Sequence, residues 1–205
     1  STTALTVEYP SIRFHGVVGD FLRHLDRIPE AQGTRLVLFL GGTIGNLYPL
    51  ERLVFLKHVK SQLGPNGKFL IGVDLVKDIE ILEAAYNDSS GITAAFNKNM
   101  LKVLNRGLGG NFDISAFNHW AFYNAVESRI EMHLVPNTRQ DISLSKIDLR
   151  ISVSPLETIW TESSHKFTET TLSDMLAQAG LQIDRFFTND RLEESFGLVL
   201  ASAFE

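Results

Sequence analysis

Residues 36–49 read LVLFLGGTIGNLYP. Five apolar residues run into Gly41 and Gly42, and a third glycine, Gly45, precedes Asn46. An unbroken apolar run of this kind is the pattern of a buried parallel strand, which is covered on both faces and so does not alternate. The glycines end it abruptly. No lysine follows them, so this is not a G-x-x-x-x-G-K-[ST] phosphate loop, and the spacing does not fit G-x-G-x-x-G either.

Downstream of Pro49, the residues Leu50, Leu53, Val54, Leu56 and Val59 fall at helical spacing, and Leu63 extends the stripe. Gly64-Pro65 ends it, as glycine and proline do just past a helix. GKFLIGVDL (67–75) reads as a second buried strand ending near Asp74. Upstream, IRFHGVVGDF (12–21) reads as a short strand ending at Gly19-Asp20, and FLRHLDRI (21–28) as a helical turn or two. Strands alternating with helices over residues 12–75 imply β-α-β units and a parallel sheet.

The rhythm then changes. Residues 77–108 carry a long helical pattern with a break at NDSSG (87–91), while WAFYNAVESRIEMHLV (120–135) and DLRISVSP (148–155) alternate like half-exposed antiparallel strands. FTETTLSDMLAQAGLQIDRFFTND (167–190) returns to helix then strand, with Thr168 or Thr170 as the cap and Gly180 as the stop, and FGLVLASAF (196–204) is a last apolar strand. The expected organisation is an α/β sheet begun by residues 1–75, interrupted by an insertion at 76–160, and closed by a helix and strands in 161–205.

Composition narrows the function. The chain has 205 residues, 44% of them hydrophobic, and a net charge of -5, which argues against a broad nucleic-acid surface. Without cysteine there is no disulfide, thiolate metal site or cysteine nucleophile. His15, His24, His58, His119, His133 and His165 form no H-E-x-x-H or other close metal pair, so no metal site is expected. No apolar run approaches the ~18 residues of a membrane span, and the first residues lack the basic start and apolar core of a signal peptide, so a cytoplasmic protein is the default.

Five stretches, VVGDFLRHL, FLGGTIGN, GVDLVKD, AAYNDSSGITAAFNKN and IWTESSHKF, together resemble the histidine-specific methyltransferases that use S-adenosylmethionine, the family of the ergothioneine-pathway L-histidine Nα-methyltransferases. The resemblance runs over essentially the whole chain, with the motifs in the family's order. It implies a Rossmann-like class I methyltransferase sheet carrying an inserted α+β substrate-binding domain, and Nα-methylation of L-histidine toward hercynine. The family's Gly-rich cofactor turn and ribose-binding acid belong to its first two strands, and neither is found before Ile12. NRGLGGNF (105–112) does not replace that turn, because it follows a helical pattern. The chain therefore resembles the C-terminal two-thirds of such an enzyme, and these 205 residues alone are not expected to turn over.

The resemblance assigns roles residue by residue. Asp20 and Phe21 would bind the adenine of S-adenosylmethionine, although an aspartate there also reads as a helix cap. Gly41 and Gly42 would face the transferred methyl group, where the lack of a Cβ lets backbone approach a ligand. Asn46 and Tyr86 would hold the substrate carboxylate; the plain alternatives are a turn asparagine and a core tyrosine. Glu162 and Ser164 would read the imidazole, a carboxylate accepting one N–H and a hydroxyl meeting the other nitrogen, and composition alone would make them exposed loop residues. Phe96 and Met132 are further candidates for walls around the ring. No residue is assigned as a catalytic acid or base. Two other readings stay open: a non-catalytic amino-acid-binding module, and a methyltransferase for a related aromatic amino acid. No nucleic-acid or membrane partner is expected.

Overall fold

The computed structural model describes residues 2–155, 157–188 and 196–204. Its first sheet is built around the two apolar runs. Strand β1 (Leu36–Phe39) lies parallel to β2 (Lys68–Asp74), and helix α2 (Pro49–Leu63) connects them. A short exposed helix, α1 (Thr2–Glu8), precedes this unit. Gly64, at φ 69°, ends α2 in a conformation open to glycine.

The chain returns to this sheet at its end. Helix α5 (Glu169–Gln178), capped by the Thr168 hydroxyl, leads to β8 (Leu181–Thr188) and β9 (Phe196–Ala203). Asn189 and Asp190, which close the stretch read as helix then strand, lie outside the described residues. The strand order is β1-β2-β9-β8, with β9 antiparallel to both of its neighbours. Phe69, Ile71 and Val73 of β2 alternate into the core, where they meet Phe55, Leu56 and Val59 of α2 and Leu172 and Leu176 of α5.

Two expectations for this unit are corrected. Residues 12–19 form no strand, although the outer edge of β1 is unpaired among the described residues; Gly16 and Gly19 weaken strand formation there, and Val18 is fully exposed. The run at 35–40 does form a parallel strand, but it is not covered on both faces. Leu36, Leu38 and Leu40 are about half exposed, since α2 and α5 pack on the opposite face. The helical stripe also turns slightly. Phe55 is buried where Val54 was expected, and Leu50 is exposed.

Between β2 and α5 lies the second unit. Helix α3 (Ile79–Tyr86) and helix α4 (Ile92–Leu108) are separated at Asn87–Gly91, as the sequence implied. The 120–135 stretch resolves into a hairpin of β3 (Phe117–Asn124) and β4 (Arg129–Pro136). A second hairpin pairs β5 (Gln140–Leu144), which is not anticipated by the sequence, with β6 (Leu149–Val153). Strand β7 (Ile159–His165) then pairs antiparallel with β4. The expected boundary at residue 160 falls inside β7, whose pairing runs to His165. IWTESSHKF is thus mostly a strand rather than an exposed loop.

The two sheets are joined where β7 ends. Leu75 and Phe167 form a parallel bridge, Phe167 N–H donates to the Asp74 carbonyl at 3.0 Å, and Val76 N–H donates to the Phe167 carbonyl at 2.9 Å. Beside them, His165 Nδ1 meets the Gly45 carbonyl at 2.8 Å. A Cβ on Gly45 would sit 2.7 Å from the His165 carbonyl oxygen, a backbone atom that cannot swing aside. Gly45→Ala should therefore cost about 1–3 kcal/mol, the usual range for overpacking. Denaturant unfolding of the full-length protein tests this, and unchanged stability would show that the turn is free to move from β7.

Candidate active site

At the C-terminal ends of β1 and β2, where open α/β sheets place their ligands, a cavity of about 560 Å³ opens between the two units. Six of the eight expected site residues line it: Gly41, Gly42, Asn46, Tyr86, Glu162 and Ser164. Asp74, Lys77, Leu82 and Phe196 complete much of the wall. A larger open hollow of about 700 Å³, formed by residues 26–35 and 61–67, gathers none of them.

Each residue reaches the cavity for a local reason. Gly41 and Gly42 have φ of 81° and 71°, which turns the chain off β1, and a Cβ at either would meet nothing within 4 Å. Their backbone therefore faces open space. Asn46 ends the 3-10 turn Thr43–Asn46, which His165 pins through Gly45. Burial holds the His165 pKa below its ordinary value, so the ring stays neutral, with its Nδ1–H donated to that carbonyl. Tyr86 is the last residue of α3. Asn87 secures that helix end by exchanging two hydrogen bonds with the backbone of Ala121, at 2.9 and 3.1 Å, and His119 Nε2 meets the Tyr86 carbonyl at 2.7 Å.

Glu162 and Ser164 lie two residues apart on β7, so they share one face of the strand. Lys166 follows at the same period. Its side chain is fully buried, and its Nζ donates to Asp74 Oδ2 at 2.7 Å, Ser164 Oγ at 2.9 Å and Tyr86 OH at 3.0 Å. Tyr86 OH in turn donates to Ser164 Oγ at 2.9 Å, and Asn46 Nδ2 donates to Glu162 Oε1 at 3.2 Å. Lys77 Nζ stands 2.9 Å from Asp74 Oδ1, off the line of a hydrogen bond, and 4.5 Å from the centre of the Phe196 ring.

The sequence reading missed Lys166, Asp74 and Lys77 as site residues. Asp74 offered one signal, a carboxylate at the end of a buried strand; Lys166 offered the period-two step from Glu162 and Ser164.

Asp20 and Phe21 do not line this cavity. Asp20 caps a turn, accepting the Leu22 N–H at 2.9 Å and pairing with Arg23 at 3.5 Å. Phe21 packs on Phe39 and Phe55, with ring centres 5.4 and 5.8 Å away. Phe96 is exposed and Met132 is buried with Leu82, Ala121 and Ile130, one layer behind the cavity wall. Among the described residues no group of His, Asp or Glu is placed to hold a metal, and no helix is long and apolar enough to cross a membrane.

Comparison with known families decides the kinship. Residues 1–203 match the family described as histidine-specific methyltransferase, SAM-dependent. The chain belongs to this family. A histidine N-alpha-methyltransferase from Mycolicibacterium smegmatis is 44% identical over 97% of this chain and 61% of its own length, and one from Mycobacterium tuberculosis is 42% identical over 98% and 62%. Ergothioneine biosynthesis protein 1 from Neurospora crassa is 30% identical over 78% of this chain and 20% of its own length. The chain thus spans less than two thirds of the length of the mycobacterial members of the family. Its mixed α/β sheet fits the Rossmann-like methyltransferase fold expected from the sequence.

Burial raises the Glu162 pKa above the ordinary carboxylate value, opposed by the Asn46 hydrogen bond and the Lys166 charge. The sign of the linkage follows. With a folded-state pKa above the unfolded one, the stability Glu162 contributes is present below the unfolded pKa and is lost as pH rises through the folded value. Glu162→Gln keeps an acceptor for Asn46 and removes that loss. The variant should melt above the wild type near neutral pH and level with it below about pH 4. Thermal melts at both pH values check this; an equal gain at both would mean that ionisation is not the cause.

Proposed function

We propose that the full-length protein transfers a methyl group from S-adenosylmethionine to the α-amino nitrogen of L-histidine, on the route to hercynine and ergothioneine. The observation that carries this reading is the convergence of Asn46, Tyr86, Glu162 and Ser164, drawn from both units of the fold, on one cavity beside Gly41 and Gly42. Family membership supports the same reaction and cofactor.

The chemistry asks little of acid–base groups. S-Adenosylmethionine, when bound, supplies an electrophilic methyl on a sulfonium. Gly41 and Gly42 would hold that end of it, where no side chain blocks approach. The amine attacks as its neutral form, so the protein's main task is to align nitrogen with the methyl and exclude water. Asn46 and Tyr86 would fix the carboxylate, Asn46 by leaving Glu162 for the ligand. Glu162 would then be free to accept an imidazole N–H. Asp20 and Phe21 remain candidates for the adenine, but they lie outside this cavity and would need the site to extend past β1.

The direct test is mass spectrometry of the small molecules formed from histidine and S-adenosylmethionine by the full-length protein. Methylated histidine is expected; methylation of another aromatic amino acid, with histidine untouched, would replace this reading. Asn46→Ala should lower kcat/KM for histidine by about 1.5–3 kcal/mol, the range for a hydrogen bond to a charged group, with the fold intact. Unchanged kinetics would return Asn46 to a structural turn role. Glu162→Ala should shrink the preference for histidine over phenylalanine about ten- to hundredfold. Parallel losses for the two amino acids would mean that Glu162 supports the strand and does not read the ring.

A further inference from the structure

We propose that the cleft between α2 and α5 is a binding site for a small oxyanion, a carboxylate by preference, held by the guanidinium of Arg52. The cleft encloses about 240 Å³, and its walls include Arg52 and Leu53 of α2 and Thr171, Asp174, Met175 and Gln178 of α5. It shares no lining residue with the cavity described above.

The argument starts from a buried charge that lacks a counter-charge. Arg52 is only 7% exposed. A guanidinium carries five N–H donors and no acceptor. Of these, Nη1 meets the Met175 sulfur at 3.9 Å, and a thioether is a weak acceptor. The buried Nε–H has no partner, and Nη2 has no acceptor among the described residues. The guanidinium lies over the Phe167 ring, 5.2 Å from its centre. That stacking offsets only part of the cost of taking an ion out of water. Burial pushes the Arg52 pKa down, and no neighbouring carboxylate holds it up.

Buried ionisable groups are ordinarily paired or neutralised by losing their charge. Arginine does not deprotonate in proteins, so only the first course is open to Arg52. The cleft in front of it leaves room for an anion, and the edge of a guanidinium matches the two oxygens of a carboxylate or of a phosphate. Asp174 is the one carboxylate on the cleft wall among the described residues. It is exposed and forms no ion pair with Arg52. Its charge opposes a doubly charged ligand, which favours a carboxylate over phosphate. Leu53 and Met175 suit the apolar part of such an acid. Phe167, beneath the guanidinium, also makes the backbone bonds that join the two units, so the site adjoins that junction.

The test is thermal melting of the full-length protein near neutral pH, with acetate or phosphate replacing chloride at constant ionic strength. The wild-type melting temperature is expected to rise saturably with acetate, by about 2–4 °C once the anion reaches roughly ten times its dissociation constant. Phosphate should raise it less. Arg52→Met, which keeps an apolar chain of similar length against Phe167, should lose the acetate-dependent rise. A rise with phosphate as large as with acetate would support the site and widen its ligand to any small oxyanion. A wild type that responds to neither anion overturns the proposal, whether or not the variant folds. A rise that does not saturate also overturns it, because excluded salts stabilise folded proteins in general. So does a folded Arg52→Met protein that keeps the wild-type response, since the anion would then sit elsewhere.

Discussion

The Lys166 ammonium lies fully buried against the Asp74 carboxylate, 2.7 Å away, at the point where β7 of one sheet meets the end of β2 of the other. Water cannot reach the ammonium, so its charge is balanced by protein groups alone, and removing one partner of such a pair typically costs about 3–5 kcal/mol. Backbone bonds between Phe167 and residues 74 and 76 run alongside it. His165, one residue back, grips the Gly45 carbonyl. Three consecutive residues after Ser164 thus fasten the inserted unit to the sheet, and the cavity is the space left in front of that junction.

The polar groups that line the cavity are paired with one another across this space. Asn46 donates to Glu162, and Tyr86 donates to Ser164. Such pairing lowers the cost of keeping polar groups half-buried without a ligand. It also means that any ligand bonded to these groups has to exchange those bonds for its own. Raising the pKa of Glu162 is the electrostatic side of the same arrangement: the pocket keeps a carboxylate that burial disfavours. Functional sites commonly hold strain of this kind at the expense of stability.

Much of this was legible in the sequence. The two apolar runs, the helix between them and the closing helix and strands carry strong periodicity or sharp glycine stops, and they form the elements read there, with one face of β1 left half exposed. The family motifs pointed to six residues that now share one cavity. What the sequence hid has physical causes. β7 reads as a loop because both of its faces carry polar residues: one face lines the cavity and the other packs Ser163 and His165 inward. Residues 12–21 have the apolar content of a strand, but they stay off the unpaired edge of β1, and no local pattern reports whether an edge is used. Lys166 and Asp74 are 92 positions apart, and a lone lysine in a polar stretch gives no hint that it will be buried. Asp20 and Phe21 fit the family motif, while in the fold they cap a turn and pack on β1 and α2.

The central claim is that Glu162 of β7 accepts an N–H from the ring of a bound histidine. Nitrogen NMR of ring-labelled histidine bound to the full-length protein reads this directly, because protonated and bare imidazole nitrogens resonate far apart. The account predicts a nitrogen held protonated through the pH range in which free histidine averages its tautomers. The averaged signal of the free amino acid would contradict it.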